Sequence, residues 1–263
     1  MRSSDCCANV AEMKLALLSD VHANRQAFAA CVAHARQAGA ERFALLGDFV
    51  GYGGEPAAVV DEVMRLVDDG AIAVRGNHDA LAVQPPAQSQ ALGEVSAAWT
   101  HAQLSDTQRD FLAALPLTQT LDDALFVHAS AQHPERWTYV DDSTTATRSL
   151  IAAQARHSQT RFVFGGHVHR QSLYYLGVER RLMAFAPTAG VVIPTPRHRS
   201  WLATVGSVGQ PRDGRPEAMY ALFDTAAARL CFQRVAYDID AAIRAIVRAG
   251  VDDHAANRLA LGR

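Results

Sequence analysis

The chain has 263 residues, 49% of them apolar, enough to fill one large core. Its formal net charge of −2 leaves no electrostatic footprint for non-specific nucleic-acid binding, and the near-total use of arginine over lysine (only Lys14) is a compositional bias from which no function follows. No run of about 18 apolar residues offers a membrane span. Residues 1–12 lack a signal peptide's apolar stretch, and Cys6, Cys7, Cys31 and Cys231 make no C-x-x-C unit, so a cytoplasmic protein without a disulfide frame is expected.

The first element is the apolar run Lys14 to Leu18, a strand buried on both faces, which delivers Ser19-Asp20-Val21-His22 to its C-terminal end. Ala27, Phe28, Cys31, Val32 and Ala35 then recur with helical period, and Gly39 closes that helix. The unit repeats: Arg42 to Leu46 leads into Gly47-Asp48 and a glycine-rich loop, and a second helix opens at Pro56. Ala71 to Val74 is a third short strand, ending at Gly76-Asn77-His78-Asp79. Strands separated by helices imply parallel pairing with right-handed crossovers, and loops at the carboxyl ends of such strands collect functional groups.

Residues 80–115 read as helical, with Pro85-Pro86 interrupting and Ser105-x-x-Gln108 fitting a helix start. Strand-like runs return at 117–120 and at 124–127, the latter ending in His128. A helix over 143–156 precedes Arg161 to Phe164 and then Gly165-Gly-His-Val-His169. The segments 172–176, 181–186, 201–205, 218–223 and 229–235 read as mainly antiparallel sheet, and a last helix runs from Ile239 to Ala249. The expected division is a weakly ordered tail over 1–13, one domain over 14–250 and a C-terminal tail over 251–263.

Asp20, His22, Asp48, Asn77, His128, His167 and His169 each fall at or just past a predicted strand end. In Asp20-x-His22 and His167-x-His169 the i, i+2 spacing points both side chains the same way if the backbone is extended, so that each pair could grip one ion. Singly, Asp20, His22 and Asp48 read equally as caps or turns, and Gly76-Asn77 is turn chemistry. Together they make a thiolate-free N/O set suited to Mn, Fe, Zn, Co or Ni. Seven side chains exceed what one catalytic ion with open positions needs, which implies two ions sharing a carboxylate.

In this order, Asp20-x-His22, Gly47-Asp48, Gly76-Asn77-His78-Asp79, His128 and Gly166-His167-x-His169 resemble the motif set of the calcineurin-like metallophosphoesterases. The resemblance implies a four-layer α/β/β/α sandwich of two mixed sheets flanked by helices. It implies one metal on Asp20, His22, Asp48 and His169 and a second on Asp48, Asn77, His128 and His167, with manganese the foremost candidate. It also implies a hydroxide between the ions as nucleophile and His78 as general acid. Gly47-Asp-Phe-Val-Gly-Tyr-Gly53 lacks the second Asp and the Arg of the protein-phosphatase branch, and the chain is similar instead to the small bacterial and archaeal phosphodiesterase branch. Residues 206–214 resemble a loop of that branch. A small phosphoester is therefore the expected substrate, more as a diesterase than as a phosphatase of nucleotides or phosphoproteins. The rival of another class, a non-catalytic scaffold, should have lost ligands, and none is lost; a homo-oligomer stays possible. Arg212 is a candidate phosphate contact, Trp137 and Tyr139 are candidate pocket walls, and Asp79 orients His78 or caps the next helix.

Overall fold

A computed structural model describes residues 13–87, 92–177, 181–250 and 253–263. The elements are β1 (Lys14–Leu18), α1 (Arg25–Gln37), β2 (Arg42–Leu45), α2 (Pro56–Asp68), β3 (Ile72–Ala73), α3 (Asn77–Val83), α4 (Leu92–Gln103), α5 (Asp106–Ala114), β4 (Thr118–Leu121), β5 (Ala124–Val127), α6 (Ser143–Arg156), β6 (Phe162–Gly165), β7 (Gln171–Leu176), β8 (Leu182–Phe185), β9 (Val192–Pro194), β10 (Ser200–Val205), β11 (Ala218–Asp224), β12 (Arg229–Val235), α7 (Ile239–Ala249) and α8 (Asp253–Leu261).

They form two mixed six-stranded sheets, ordered β3-β2-β1-β11-β12-β9 and β4-β5-β6-β10-β7-β8. Within the first, β1–β2 and β2–β3 pair in parallel while β11 runs antiparallel to β1. In the second, β5–β6 and β6–β10 are parallel. Burial on both faces explains the layering. Leu15 and Leu17 of β1 pack between the sheets with Phe126, Phe162, Phe164, Phe223 and Phe232. Ala16 and Leu18, on the opposite face of the same strand, pack against Phe28, Val32, Val59 and Val63 of α1 and α2. On the far side, Leu125, Val163 and Leu202 meet Ala146, Leu150 and Ala153 of α6. The result is the α/β/β/α sandwich, in which each fully buried phenylalanine of the middle layer contributes roughly 1.5–3 kcal/mol of transfer free energy.

Helix starts follow the local chemistry. The Asn24 side chain accepts from Ala27 N at 3.0 Å, Pro56 occupies the first turn of α2, and Ser105 and Gln108 form a reciprocal capping box. Two elements differ from expectation. The segment after Gly250 is the helix α8, whose Ala255, Ala256 and Leu259 are buried against Ala242 and Ile246 of α7. Its apolar positions recur at helical spacing behind a polar start, and that start reads as a tail. The short strand β9 ends in a proline and pairs with β12 at the sheet edge, where proline is tolerated. The tail expected over 1–13 lies, apart from Met13, outside the described residues, as do Cys6 and Cys7. Among the described residues no helix is long and apolar enough to cross a membrane.

Candidate metal centre

The strands β1, β2, β3, β5 and β6 end on one side of the sandwich, and their following loops bring the candidate residues together. The convergence does not arise from extended backbone as the i, i+2 spacing suggested. Asp20 and His22 have φ of 55° and 48°, His167 and His169 have 66° and 57°, and Asp48 has 55°, all in the left-handed region. Non-glycine residues there cost about 1–2 kcal/mol each, and such strain persists only where the surroundings over-determine it. The surroundings do so through a backbone ladder between the first two loops: Asp20 N donates to Gly47 O at 3.0 Å, His22 N to Asp48 O at 2.9 Å and Ala23 N to Phe49 O at 2.8 Å.

Asp79, left open by the sequence, does more than cap. Its fully buried carboxylate accepts from Gly76 N at 2.9 Å at the start of α3, and from Asp48 N and Phe49 N at 2.8 Å each and Val50 N at 3.3 Å. It thereby fastens the Asp48 loop to the Asn77-His78 turn. Burial, with Asp48 nearby, pushes its carboxyl up to about 7. Asp79→Asn replaces one acceptor oxygen by an NH2 aimed at buried N–H donors, so it should destabilise the protein by about 3 kcal/mol. Chemical denaturation reads this loss; a change within 0.5 kcal/mol, the range of an ordinary surface substitution, would refute the splint.

The glycine-flanked approaches are equally tight. A Cβ on Gly76 would lie 2.2 Å from Asp48 Oδ1, and one on Gly166 1.8 Å from Ser19 Oγ. Gly51, at φ 89°, lets its loop lie against His78, where a Cβ would come 2.5 Å from Nδ1. Gly51→Ala should therefore displace the His78 ring and lower kcat/KM about tenfold or more, with about 1–2 kcal/mol of backbone cost. Steady-state kinetics beside a melting curve separate the two effects.

Tyr52, between Gly51 and Gly53, was missed. Within what the sequence offered only as a glycine-rich loop, it packs its ring 4.8 Å from that of His22 and 4.5 Å from that of His78. The available signal was an aromatic residue four positions after a predicted carboxylate ligand. The 206–214 loop also finds a role. Val208 N and Gly209 N donate to Ser19 O and Asp20 O, each at 2.9 Å, and Ser207 Oγ donates to Asp20 O at 2.8 Å. That loop splints the Asp20 turn.

The histidine geometry shows what the site could hold. His22, His128 and His169 each place Nδ1 against a backbone carbonyl: Val50 O at 3.1 Å, Leu46 O at 2.7 Å and Gln210 O at 2.6 Å. A carbonyl only accepts, so each Nδ1 carries a hydrogen, and each Nε2 points inward, as a lone pair where the ring is neutral and as an N–H where it is charged. Those Nε2 atoms stand close to other acceptor atoms. His22 Nε2 lies 3.0 Å from His169 Nε2, and His169 Nε2 lies 3.2 Å from Asp20 Oδ1. His128 Nε2 lies 3.2 Å from Asp48 Oδ2, 3.2 Å from Asn77 Oδ1 and 3.1 Å from His167 Nδ1. Asp20 Oδ1 and His167 Nε2 are buried without a hydrogen-bond partner. A crowd of inward acceptors held by second-sphere carbonyls is the arrangement a cation completes.

Among the described residues three groupings could hold an ion: Asp20, His22 and His169; Asp48, His128 and His167; and His22, Asp48 and His78. Asp48 belongs to two of them. Its Oδ2 is 3.2 Å from His128 Nε2 and 3.9 Å from His22 Nε2, while its Oδ1 accepts from His78 N at 2.8 Å. Electrostatics match. Burial would raise the Asp48 and Asp20 carboxyls, but facing imidazoles (His128 for Asp48, His169 for Asp20) leave both below the ordinary carboxylate range. Burial pushes His22 well down and His167 down to about 4, so both rings offer lone pairs. His128 departs: against burial, Asp48 raises it to about 9, the proton standing where positive charge is needed. Burial lowers His78, with Asp48 opposing.

The structure thus gathers Asp20, His22, Asp48, Asn77, His78, His128, His167 and His169. Of the flanking aromatics, Tyr139 stacks on His167 at 4.0 Å and Trp137 meets His128 edge-on at 6.0 Å. Arg212 holds its guanidinium 5.7 Å from the Tyr52 ring. The other described histidines serve elsewhere: His34 bonds the Tyr220 hydroxyl, His101 the Ala82 carbonyl, and His133 is exposed beside Glu135.

A two-sheet sandwich carrying this histidine–aspartate cluster defines a metal-dependent hydrolase of phosphoesters. The model of the calcineurin-like phosphoesterase superfamily domain matches residues 13–228, and the chain belongs to that superfamily. It is 30% identical over 264 residues to an uncharacterised protein of Methanocaldococcus jannaschii, covering 95% of this chain and 98% of the relative. The crystal structure of a metallophosphoesterase from Sphaerobacter thermophilus is similar at 31% identity with a TM-score of 0.82, covering 96% of this chain and all of that one. A hypothetical protein from Pyrococcus horikoshii shares the fold at 17% identity and a TM-score of 0.73, covering 95% of this chain and 98% of its own.

Proposed function

We propose that the protein is a dinuclear-metal phosphodiesterase in which Asp20, His22, Asp48 and His169 hold one ion and Asp48, Asn77, His128 and His167 the other. The observation that carries the reading is the ring of acceptor atoms turned toward one another, in which Asp20, His22 and His169 form one group, Asp48, His128 and His167 another, and Asp48 also groups with His22. Its donor set of imidazole, carboxylate and amide oxygen, free of thiolate, suits manganese first, with Fe, Zn, Ni or Co as substitutes. When bound, the two ions supply an activated water and offset charge on the phosphoryl oxygens.

The chain's own residues do the rest. His78 stands at the N-terminal turn of α3 with its backbone N–H held by Asp48 Oδ1 at 2.8 Å, so the turn that carries its ring is fastened to Asp48. From there it delivers a proton to the departing alkoxide, the role that costs most when the leaving group is a poor one. Tyr52 packs against His78 and His22 and restricts both rings, and Arg212 reaches over Tyr52 as a phosphate contact. A diester is favoured because the glycine-rich loop lacks the acid and arginine with which the protein-phosphatase branch grips a phosphorylated side chain.

Metal content and hydrolysis decide the matter. Purified protein saturated with manganese should hold two ions per chain and cleave chromogenic diesters better than monoesters. One ion or none per chain at saturation ends the dinuclear reading. Monoesterase activity far above diesterase moves the substrate to the phosphatase class.

A further inference from the structure

The loop between His128 and α6 presents an aromatic face that the proposed chemistry leaves unused. Of the two well-exposed Phe, Tyr or Trp side chains among the described residues, Phe185 lies on the edge strand β8, whereas Tyr139, 48% exposed, lies against the candidate metal centre. Its ring stacks on that of the buried His167, with 4.0 Å between centroids and 22° between planes, so one face is covered and the other is left to solvent. Two residues earlier the half-buried Trp137 meets His128 edge-on. Both rings therefore stand against the two histidines of one ligand group, whose own centroids are 4.9 Å apart.

The loop pins Tyr139 in that place. Ser130 N donates to Thr138 O at 3.2 Å, Ala131 N to Ser149 Oγ of α6 at 2.9 Å, and Gln132 N to Ser130 Oγ at 3.1 Å. Pro134 and Val140, on either side of the exposed stretch, are buried. Within it His133 and Trp137 take φ of 54° and 51°, left-handed backbone that is costly for any residue but glycine. Such strain persists only where the surroundings over-determine it, and it collects where ligands are held. Core packing gives no reason for an open ring face on a strained, tied-down loop beside a ligand cluster.

We infer that Tyr139, with Trp137 beside it, is a stacking platform for the arm of the substrate that stays on phosphorus, and that this arm is a nucleoside. The division of the site assigns the arm. His78, the proposed acid for the leaving group, stands with Tyr52 and His22, whereas Tyr139 and Trp137 stand against His167 and His128 in the other group. The Tyr139 ring lies one ring beyond the ligand cluster, a gap that a sugar between phosphorus and base spans, and an aliphatic arm has no flat face to lay on it. Every base has a π face, so such a platform favours nucleosides without choosing among them, and one stacked base strengthens binding about tenfold. This rests on the phosphodiesterase reading and adds the substrate's retained arm to it.

Two probes isolate the base: the p-nitrophenyl ester of thymidine 5′-phosphate, and the p-nitrophenyl ester of 1,2-dideoxyribose 5-phosphate, which has the same sugar and leaving group but no base. Manganese-loaded wild type should show a KM about tenfold lower for the thymidine probe, with a similar kcat. Tyr139→Phe should keep that ratio. Tyr139→Leu, which still covers His167 but offers no ring, and Tyr139→Ala should bring it toward one. Both probes meet the same metal centre, so any disturbance of His167 acts on the two alike and cancels in the ratio. Equal KM values in wild type, or a ratio that survives Tyr139→Leu, overturn the platform. A parallel calorimetric titration of the same manganese-loaded proteins with thymidine 5′-phosphate and with 1,2-dideoxyribose 5-phosphate repeats the comparison without turnover. If neither ester is cleaved, the phosphodiesterase reading fails by itself and the titration decides the platform: tighter binding of thymidine 5′-phosphate that is lost in Tyr139→Leu upholds it, and equal affinities or no binding of either reject it. Melting curves identify a variant that misfolds, and where that is Tyr139→Ala the leucine variant carries the comparison.

Discussion

Asp48→Asn should hold one metal ion per chain in place of two and cleave diesters about a thousandfold more slowly, a loss of about 4 kcal/mol of transition-state stabilisation. The substitution is close to isosteric. The amide oxygen can still accept from His78 N, as Asp48 Oδ1 does at 2.8 Å, and the amide NH2 then falls where Oδ2 now sits, 3.2 Å from His128 Nε2. In the metal-free protein that exchange removes the charge that raises His128, so the ring can turn neutral and accept from the new amide NH2. The fold should therefore survive, and metal-free melting should stay within a few degrees of wild type. What is lost is the proposed anionic bridge, the carboxylate that groups with His128 and His167 on one side and with His22 on the other. Metal analysis, melting with and without manganese, and kinetics on one diester give three independent readings. Two ions per chain together with activity within tenfold of wild type would show that Asp48 does not join the sites.

Much of this centre was legible because each candidate ligand follows an apolar strand, and strand ends in a parallel sheet are where loops converge. The run Lys14 to Leu18 announced Asp20 and His22, Ala124 to Val127 announced His128, and Arg161 to Phe164 announced His167 and His169. What could not be read was the backbone that orients them. Left-handed φ at Asp20, His22, Asp48, His167 and His169 runs against residue propensity, and it is held by tertiary bonds: the ladder between the first two loops, His167 N donating to Asp20 Oδ2 at 2.8 Å, and His169 Nδ1 donating to Gln210 O at 2.6 Å. Asp79 shows the same limit. Its sequence position allowed a cap, but that it reaches the Asp48 loop depends on β2 and β3 lying side by side, a long-range pairing that no local pattern encodes. Tyr52 was lost because glycines on both sides suggested a featureless turn, whereas those glycines are what let the ring pack against His22 and His78. Helix α8 was lost for the opposite reason: its stability comes from packing Ala255, Ala256 and Leu259 on α7, and nine residues at the end of a chain carry little helical signal without that partner.

His78→Asn should separate acid catalysis from metal binding through the leaving group. For a diester whose leaving group is an alkyl alcohol, the departing alkoxide needs a proton, and removing the donor should lower kcat about a hundredfold or more. A nitrophenolate leaves without one, so the chromogenic diester should fall less than about tenfold in the same variant. The contrast matters because His78 also stands within reach of His22 and Asp48 in a grouping that could itself hold an ion. A ligand role predicts something else: metal content falls, and both substrates slow by the same factor. The positional chemistry favours the acid. The His78 ring is buried, boxed by Gly51 and by the Tyr52 ring at 4.5 Å, and held near Asp48 by its own backbone N–H, while the inward lone pairs that face one another belong to His22, His128, His167 and His169. Burial lowers the imidazole and Asp48 works against that, so the fraction carrying a proton declines as pH rises. The alkyl diester should then lose kcat toward alkaline pH in wild type, and that limb should vanish in His78→Asn while the chromogenic diester keeps its profile in both proteins. An equal loss on the two substrates, accompanied by loss of an ion, would reassign His78 from the leaving group to the metal centre.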